Sequence, residues 1–373
     1  MFIRIRTMRT LTKIRSLTRL HAMAAVCVAV ATGSHSACAQ TGFWLLPGRL
    51  PPPIDEVGVY RLSHDGSVGL GEETTSAGQR VYFQWDKANG RTDLTTPAGY
   101  RAFHYYDTSG DGQLLAGSSF DSSGRFSMAV VDRAQHVSTA PAPVAPYTDT
   151  EGYAMSPNGR YVGGVSYQPS VGDLAPTRWT VGGELTTYPI PSTHSSICYI
   201  YGVNDRGDMI GTAGSLNSGI RFGHVWHADG TVLRLTAPPQ ATYPDTEARA
   251  ISADSSRVFG FVGIGNQIAL TYWNADNRPT VLGFVPVMGL GDVQSCNEAG
   301  TLVMGQGERR NPTGLSDTWV WSEGQGFFEL SDWLRRNGVN VPAGISMEAH
   351  AMSSDGLTFS GYARDANRTN FAF

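Results

Sequence analysis

The sequence predicts an all-β protein, a seven-bladed β-propeller with four-stranded blades, on three observations. A Ser/Asn-led turn recurs seven times at a nearly constant spacing. Five of the seven units close an apolar stretch on Trp. Glycine supplies 44 of 373 residues while charged residues make up only 16%. That balance favours tight turns and strands over helices.

Residues 1–39 come first. They carry Arg4, Arg6, Arg9, Lys13, Arg15 and Arg19 and no acid. The basic stretch Met1–Leu20, the apolar run Ala22–Thr32 and the small-x-small box Ala37-Cys38-Ala39 have the order of a secretory signal peptide. A mitochondrial presequence is the competing reading, and the cleavage box favours export. The whole-chain charge of −4 divides at this point, leaving 22 basic and 32 acidic residues in 40–373, a net −10. An acidic body disfavours a nucleic-acid or anionic-membrane surface. Downstream of the leader no apolar run reaches 18 residues, so no transmembrane helix is expected.

The turns follow in order: Ser63–Gly66, Ser109–Gly112, Ser156–Gly159, Asn204–Gly207, Ser252–Ser255, Asn297–Gly300 and Ser353–Gly356. Their last positions step by 46, 47, 48, 48, 45 and 56 residues. Each unit reads as four short strands: A before the turn, B after it, C ending on the aromatic, and D. Trp85, Trp179, Trp226, Trp273 and Trp321 close C, with Val131 and Phe373 in the same place in units two and seven. Repetition of about 40–50 residues with four strands per unit is propeller arithmetic. Residues 40–373 are therefore expected to form a single domain. Unit five has Ser255 where glycine is expected, which predicts a differently built turn. Unit seven stops at Phe373 without a strand D, and Phe43–Leu46 resembles one. Phe43–Leu46 is therefore expected to pair with the last strand and close the ring, which removes two sheet edges. The longer step before unit seven holds one predicted helix, with Ser331 as N-cap, Trp333 as its packing anchor and Gly338 as its end.

The units resemble the HAF family of bacterial extracellular repeats. The matching segments are Ser63–Gly71, Ser156–Gly164, Asn204–Gly211 and Ser353–Gly361, with Arg178-Trp179-Thr180 and Val320-Trp321-Ser322. The end, Leu330-Ser331-Asp332-Trp333-Leu334 through Gly356, resembles that family's final unit. The resemblance covers nearly all of 40–373. It implies an exported, periplasmic or surface-associated protein of unassigned activity.

Catalytic patterns are sparse. Asp107-x-Ser109-x-Asp111-Gly112 begins like a calcium loop, but its twelfth position is Ser118. No Gly-x-Ser-x-Gly elbow or zinc-ligand spacing is present. No cofactor or metal is expected. Cys198, placed just before strand A of unit four, and Cys296, placed in the turn of unit six, are too far apart to bridge and should be free thiols.

The suggestive constellation lies in the A strands. Three residues before each turn stand Tyr60, Tyr106, Tyr153, Tyr201, Arg249, Gln294 and His350. Five residues before it stand Gly58, His104, Glu151, Tyr199, Glu247, Asp292 and Glu348. Strand A is innermost in a propeller, so these positions converge on one mouth of the channel. Tyr60, Tyr106, Tyr153, Tyr201, Arg249, His350, Glu151, Glu247 and Glu348 are the candidate ligand-binding residues. Aromatic rings with acids suit a sugar or a cationic group. The same pattern would arise from tyrosines packing between blades with their hydroxyls reaching solvent. The expected function is a monomeric binding or interaction module for a glycan, a peptide or a surface protein. The alternative is a glycan- or peptide-directed lyase or hydrolase at the channel mouth.

Overall fold

The computed structural model describes residues 3–4, 42–48, 54–168, 172–190, 197–214, 220–285, 291–310, 316–367 and 369–373. Apart from residues 3–4, residues 1–39, read from the sequence as a signal peptide, lie outside the described residues. Seven antiparallel four-stranded blades follow one another in chain order. Blade one runs through Ile54–Leu62, Val68–Thr75, Arg80–Asp86 and Gly90–Asp93. The inner strands of blades two to seven are Ala102–Thr108, Asp149–Met155, Ile197–Val203, Glu247–Ile251, Gly291–Cys296 and Ser346–Met352. Blade seven takes its outer strand from the other end of the chain. Leu46 pairs with Ala372 and Pro47 with Phe371. Phe43 stacks on Phe373 at 6.1 Å between centroids. The expected closure is present, with pairing shifted to Leu46–Pro47. Ile3–Arg4 also pairs with Thr358–Phe359. Blade seven has four strands without it.

One irregularity repeats in every inner strand. The ladder to strand B slips by one residue at Tyr60, Tyr106, Tyr153, Tyr201, Arg249, Gln294 and His350. Each of these residues is the unpaired member of a β-bulge. Facing the residue just before the bulge stands a glycine in strand B: Gly71, Gly117, Gly164, Gly211, Gly260, Gly305 or Gly361. A Cβ at any of these seven would lie 1.7–2.4 Å from the inner strand's carbonyl oxygen two residues before the bulge. That separation is far inside van der Waals contact. The kink presses backbone against backbone, and only a hydrogen at Cα fits.

The turns that follow are built alike. In blade one the Ser63 hydroxyl donates to Asp65 at 3.0 Å and accepts from the Val68 amide at 2.9 Å. The same two-way relay recurs at Ser109, Ser156, Ser252 and Ser353. Asn204 and Asn297 replace it with a carboxamide oxygen that accepts two amides each. Blade five keeps this turn, contrary to the expectation of a different one. Ser255 adopts φ +58. Its hydroxyl donates to Asp208 at 2.6 Å and accepts from the Asn204 side chain at 2.5 Å. Those bonds offset the cost of a left-handed serine.

Neighbouring turns are then stitched into a circle. His64 N–H donates to Gly110 O at 2.7 Å, and Gly110 N–H to Pro157 O at 2.6 Å. Asn158 N–H donates to the Asp205 carboxylate at 2.7 Å, and Asn204 Nδ2 of the side chain to Ser252 O at 3.5 Å. Ala253, Glu298 and Asp355 amides donate to Glu298, Ser354 and His64 carbonyls. All seven blade junctions carry such a bond.

Between blades the core is apolar. Trp179 packs with Met128 and Val130 of blade two, Trp226 with Val165 of blade three, and Trp273 with Ile210 and Val225 of blade four. These three are at most 1% exposed, as expected for packing anchors. The helix, Leu330–Arg336, sits between blades six and seven. Two details differ from expectation. Glu329 is the N-cap and makes no capping bond, while Ser331 lies in the first turn. Leu330 and Leu334 are the buried anchors, and Trp333 is only partly buried. Gly338, at φ +81, does follow the helix end. Cys198 lies within an inner strand and Cys296 ends one, rather than preceding a strand and sitting in a turn. Both are free thiols, and burial pushes Cys296 up to about 12.

Gly260→Ala should cost about 2–3 kcal/mol, as an overpacked core substitution does. Gly263→Ala, in the same strand and with nothing within 4 Å of the added Cβ, should change stability by less than about 0.5 kcal/mol. Urea unfolding of the two variants tests the bulge argument, which equal losses would overturn.

Candidate functional site

The bulges place the sequence-predicted residues. A bulge residue and the residue two before it share one side of the strand, so each inner strand presents a pair. The nine candidates are all half-buried. They are tied to each other, within a strand and across blade junctions.

In blades two and three Glu151 accepts from the Tyr153 hydroxyl at 2.7 Å and from Tyr106 at 3.3 Å. The two rings meet edge to face at 5.6 Å. Burial first, then the Glu151 charge, raises both phenols well above the ordinary tyrosine range. Tyr199 and Tyr201 stack at 6.2 Å in blade four. Burial also pushes Tyr201 up to about 12. Arg249 of blade five covers the Tyr201 ring at 3.9 Å. Its guanidinium bonds Glu247 at 2.7 Å and lies 3.3 Å from Asp292 of blade six. Burial raises the Asp292 carboxyl to about 6, although Arg249 pulls the other way. In blade seven His350 lies 3.4 Å from Glu348. Burial opposes the charged Glu348, but His350 and the Ser316 amide outweigh it and hold its pKa below the ordinary value. His350 meets Tyr60 edge to face at 5.5 Å, and the Tyr60 and Tyr362 hydroxyls are hydrogen-bonded.

These contacts support the packing reading of the tyrosines. Tyr106–Tyr153, Tyr201–Arg249 and Tyr60–His350 each join different blades. The set nevertheless divides. A cavity of about 220 Å³ lies on the axis, with residues of all seven blades in its wall. Tyr201, Arg249 and His350 line it, whereas Tyr60, Tyr106, Tyr153, Glu151, Glu247 and Glu348 do not. Sequence reasoning missed other residues of this cavity's wall: Arg61, Asp107, Ser295 and the turn residues His64, Asp205 and Glu298. Arg61, Asp107 and Ser295 stand one place after the bulge, where blades four, five and seven carry Gly202, Ala250 and Ala351. A search for polar residues recurring in register passes over a position that is small in most units. Among the described residues, no group of three or more His, Cys, Asp or Glu is placed to hold a metal ion.

No protein-family model matches the chain, and no curated protein does. Solved structures do resemble it. The β-propeller domain of the Trilobed protease from Pyrococcus furiosus superposes with a TM-score of 0.52 at 10% identity, covering 86% of this chain and 94% of that one. Prolyl oligopeptidase B from Galerina marginata gives 0.50 at 10% identity, covering 84% and 47%. TolB from Acinetobacter baumannii gives 0.44 at 12% identity, covering 85% of this chain and 63% of that one, so this chain spans less than two thirds of that protein. The chain has the β-propeller fold. Identities this low carry the likeness no further than the fold.

Asp292 gives the site a pH signature. Its carboxyl titrates near 6 in the folded chain against an ordinary 3.8. The folded state therefore holds the extra proton between about 4 and 6. The stability from this group is full below about 4 and is lost as pH rises through about 6. Its side chain is 36% exposed, so solvent screening keeps the effect modest. Thermal melting of Asp292→Asn should show a flatter pH dependence over that window than the parent. An identical slope would assign the titration elsewhere.

Proposed function

We propose that this chain is an exported bacterial propeller that acts as a binding module. In this reading it meets a partner protein or peptide with the face where the inner strands begin. One observation carries the reading. Among the described residues the exposed large hydrophobic ones are Val144, Tyr199, Tyr243 and Phe284, at 75, 46, 64 and 44% exposure. Tyr199 is at the start of an inner strand. Val144 and Tyr243 belong to connections that lead from an outer strand into the next inner strand. Phe284 ends an outer strand. Strand direction puts all four on the same side of the ring. Apolar side chains exposed on one face are the make-up of an interaction surface. Export rests on the leader's basic, apolar and small-residue order, and the assignment to HAF-type repeats rests on the seven turn motifs. Among the described residues no helix is long and apolar enough to cross a membrane.

The second reading, a lyase or hydrolase at the same mouth, has Asp292 in its favour, a carboxyl of raised pKa beside Arg249 and Glu247. Peptide and glycan arrays probed with residues 40–373 separate the two. Peptide ligands should be captured intact, and Tyr199→Ala combined with Tyr243→Ala should weaken capture about tenfold or more, as removal of central aromatic anchors does. Capture unaffected by that pair would remove the face from consideration. Cleavage of a bound probe that disappears in Asp292→Asn would establish the enzyme reading instead.

A further inference from the structure

One place in blade seven is not filled by the blade itself. In the other six blades the closing residue of strand C pairs with strand B near its start, as Trp179 does with Val162. Trp85, Val131, Trp226, Trp273 and Trp321 do the same. Val162 and Phe359 stand six residues after their turn serines, Ser156 and Ser353. Phe373, expected from the sequence to close strand C, does not reach Phe359. It exchanges bonds of 3.1 and 3.2 Å with Gly361, the place that Thr177 takes opposite Gly164 in blade three. Opposite Phe359 stands Ile3 instead, and opposite Thr358 stands Arg4.

That place needs an occupant. Peptide groups along an antiparallel strand point alternately to its two neighbours. Thr358 points to strand A, where its carbonyl accepts from the Ser353 amide and its N–H donates to the Ser353 hydroxyl. Gly361 points the other way, to Phe373. Phe359, two residues before Gly361, therefore points its N–H and C=O to the place that Ile3 holds. Phe359 is fully buried and shares an apolar cluster with Met304 and Val320 of blade six. Buried peptide groups are nearly always paired. Removal of residues 1–39 takes Ile3 away and leaves these two groups without their strand.

The register also states what fits. A residue paired with Phe359 shares its face of the sheet, and that face is apolar. Five of the six equivalent places hold Trp, the sixth holds Val131, and the uncut chain puts Ile3 there. The residue that follows each of them in sequence is polar, as Asp86, Thr180 and Arg4 are.

We propose that Phe359 is the receiving edge of a strand-addition site. It takes an extended segment of a partner protein, with a large apolar residue opposite Phe359 and a polar one after it. The site lies beside the turn Ser353–Gly356, at the opposite end of the strands from the exposed apolar face. It rests on the export reading for one point only, that the leader is removed and the place vacated.

The test compares the chain recovered from outside the cytoplasm of an expressing bacterium with an uncut chain, its cleavage box blocked by Ala37→Leu and Ala39→Leu. Intact mass reads the N-terminus, and mass spectrometry with residue-level fragmentation follows hydrogen exchange at the Phe359 amide. The probe is a synthetic peptide of residues 1–9. The exported chain should begin at Gln40 and exchange at Phe359 about tenfold or more faster than the uncut chain. Saturating peptide should restore slow exchange, and its Ile3→Trp version should act at about fivefold lower concentration because it buries more apolar area. The Ile3→Pro peptide, which lacks the ladder N–H, should have no effect. A Ser-Trp extension after Phe373 should keep Phe359 slow without peptide and remove the response. An uncut mass would overturn the vacancy together with the export reading. A cut chain whose Phe359 amide is already slow, or does not respond to peptide, overturns the site alone. Protection that rises with protein concentration in the absence of peptide gives the place to a second copy of the chain and overturns the partner.

Discussion

The contact between each inner-strand bulge and the glycine opposite it is the constraint on which the rest of this structure depends. The kink drives a carbonyl oxygen against the Cα of strand B, to within 1.7–2.4 Å of where a Cβ would stand. Seven glycines meet that demand. In return one residue per blade leaves the ladder, and the bulged strand gains local twist. That residue is polar in all seven units because it is released from pairing yet remains half-buried beside its neighbours in the next blade.

Closure of the ring follows from two independent sets of bonds. At the outer edge Leu46–Pro47 supplies the strand that blade seven lacks. At the channel the A–B turns are joined around the circle by a hydrogen bond at every junction. The relay of Ser63 and its counterparts holds each turn in the shape that makes this possible. Ser255 shows how strong the demand is, because a serine takes a glycine conformation and is fastened there by Asp208 and Asn204.

The channel consequently has two chemically different regions. Toward the strand starts, phenols, carboxylates and Arg249 satisfy one another across blade junctions. Toward the turns, a cavity opens on the axis with Arg61, Asp107, Arg249 and His350 in its wall. Arg249 belongs to both, which couples the charge of Glu247 and Asp292 to the cavity.

The order of residues along the chain was enough to establish the seven units, the four strands in each, the buried Trp anchors, the ring-closing N-terminal segment and the register of the polar belt. Those features are periodic, and hydrophobic pattern and turn chemistry are local, so they survive in one dimension. The free thiols were also legible, since the topology alone separates Cys198 from Cys296. Glu329 as the N-cap was not, because Leu330 and Leu334 set the helix by packing on blades six and seven rather than by a capping side chain. Neither was the division of Tyr60, Tyr106, Tyr153 and Glu151 from Tyr201, Arg249 and His350. Register makes these positions equivalent. Only the three-dimensional ring brings Arg61, Asp107, Ser295 and Arg249 into the wall of one cavity, and distances between residues more than 40 apart in sequence decide which polar groups are paired and which face the cavity.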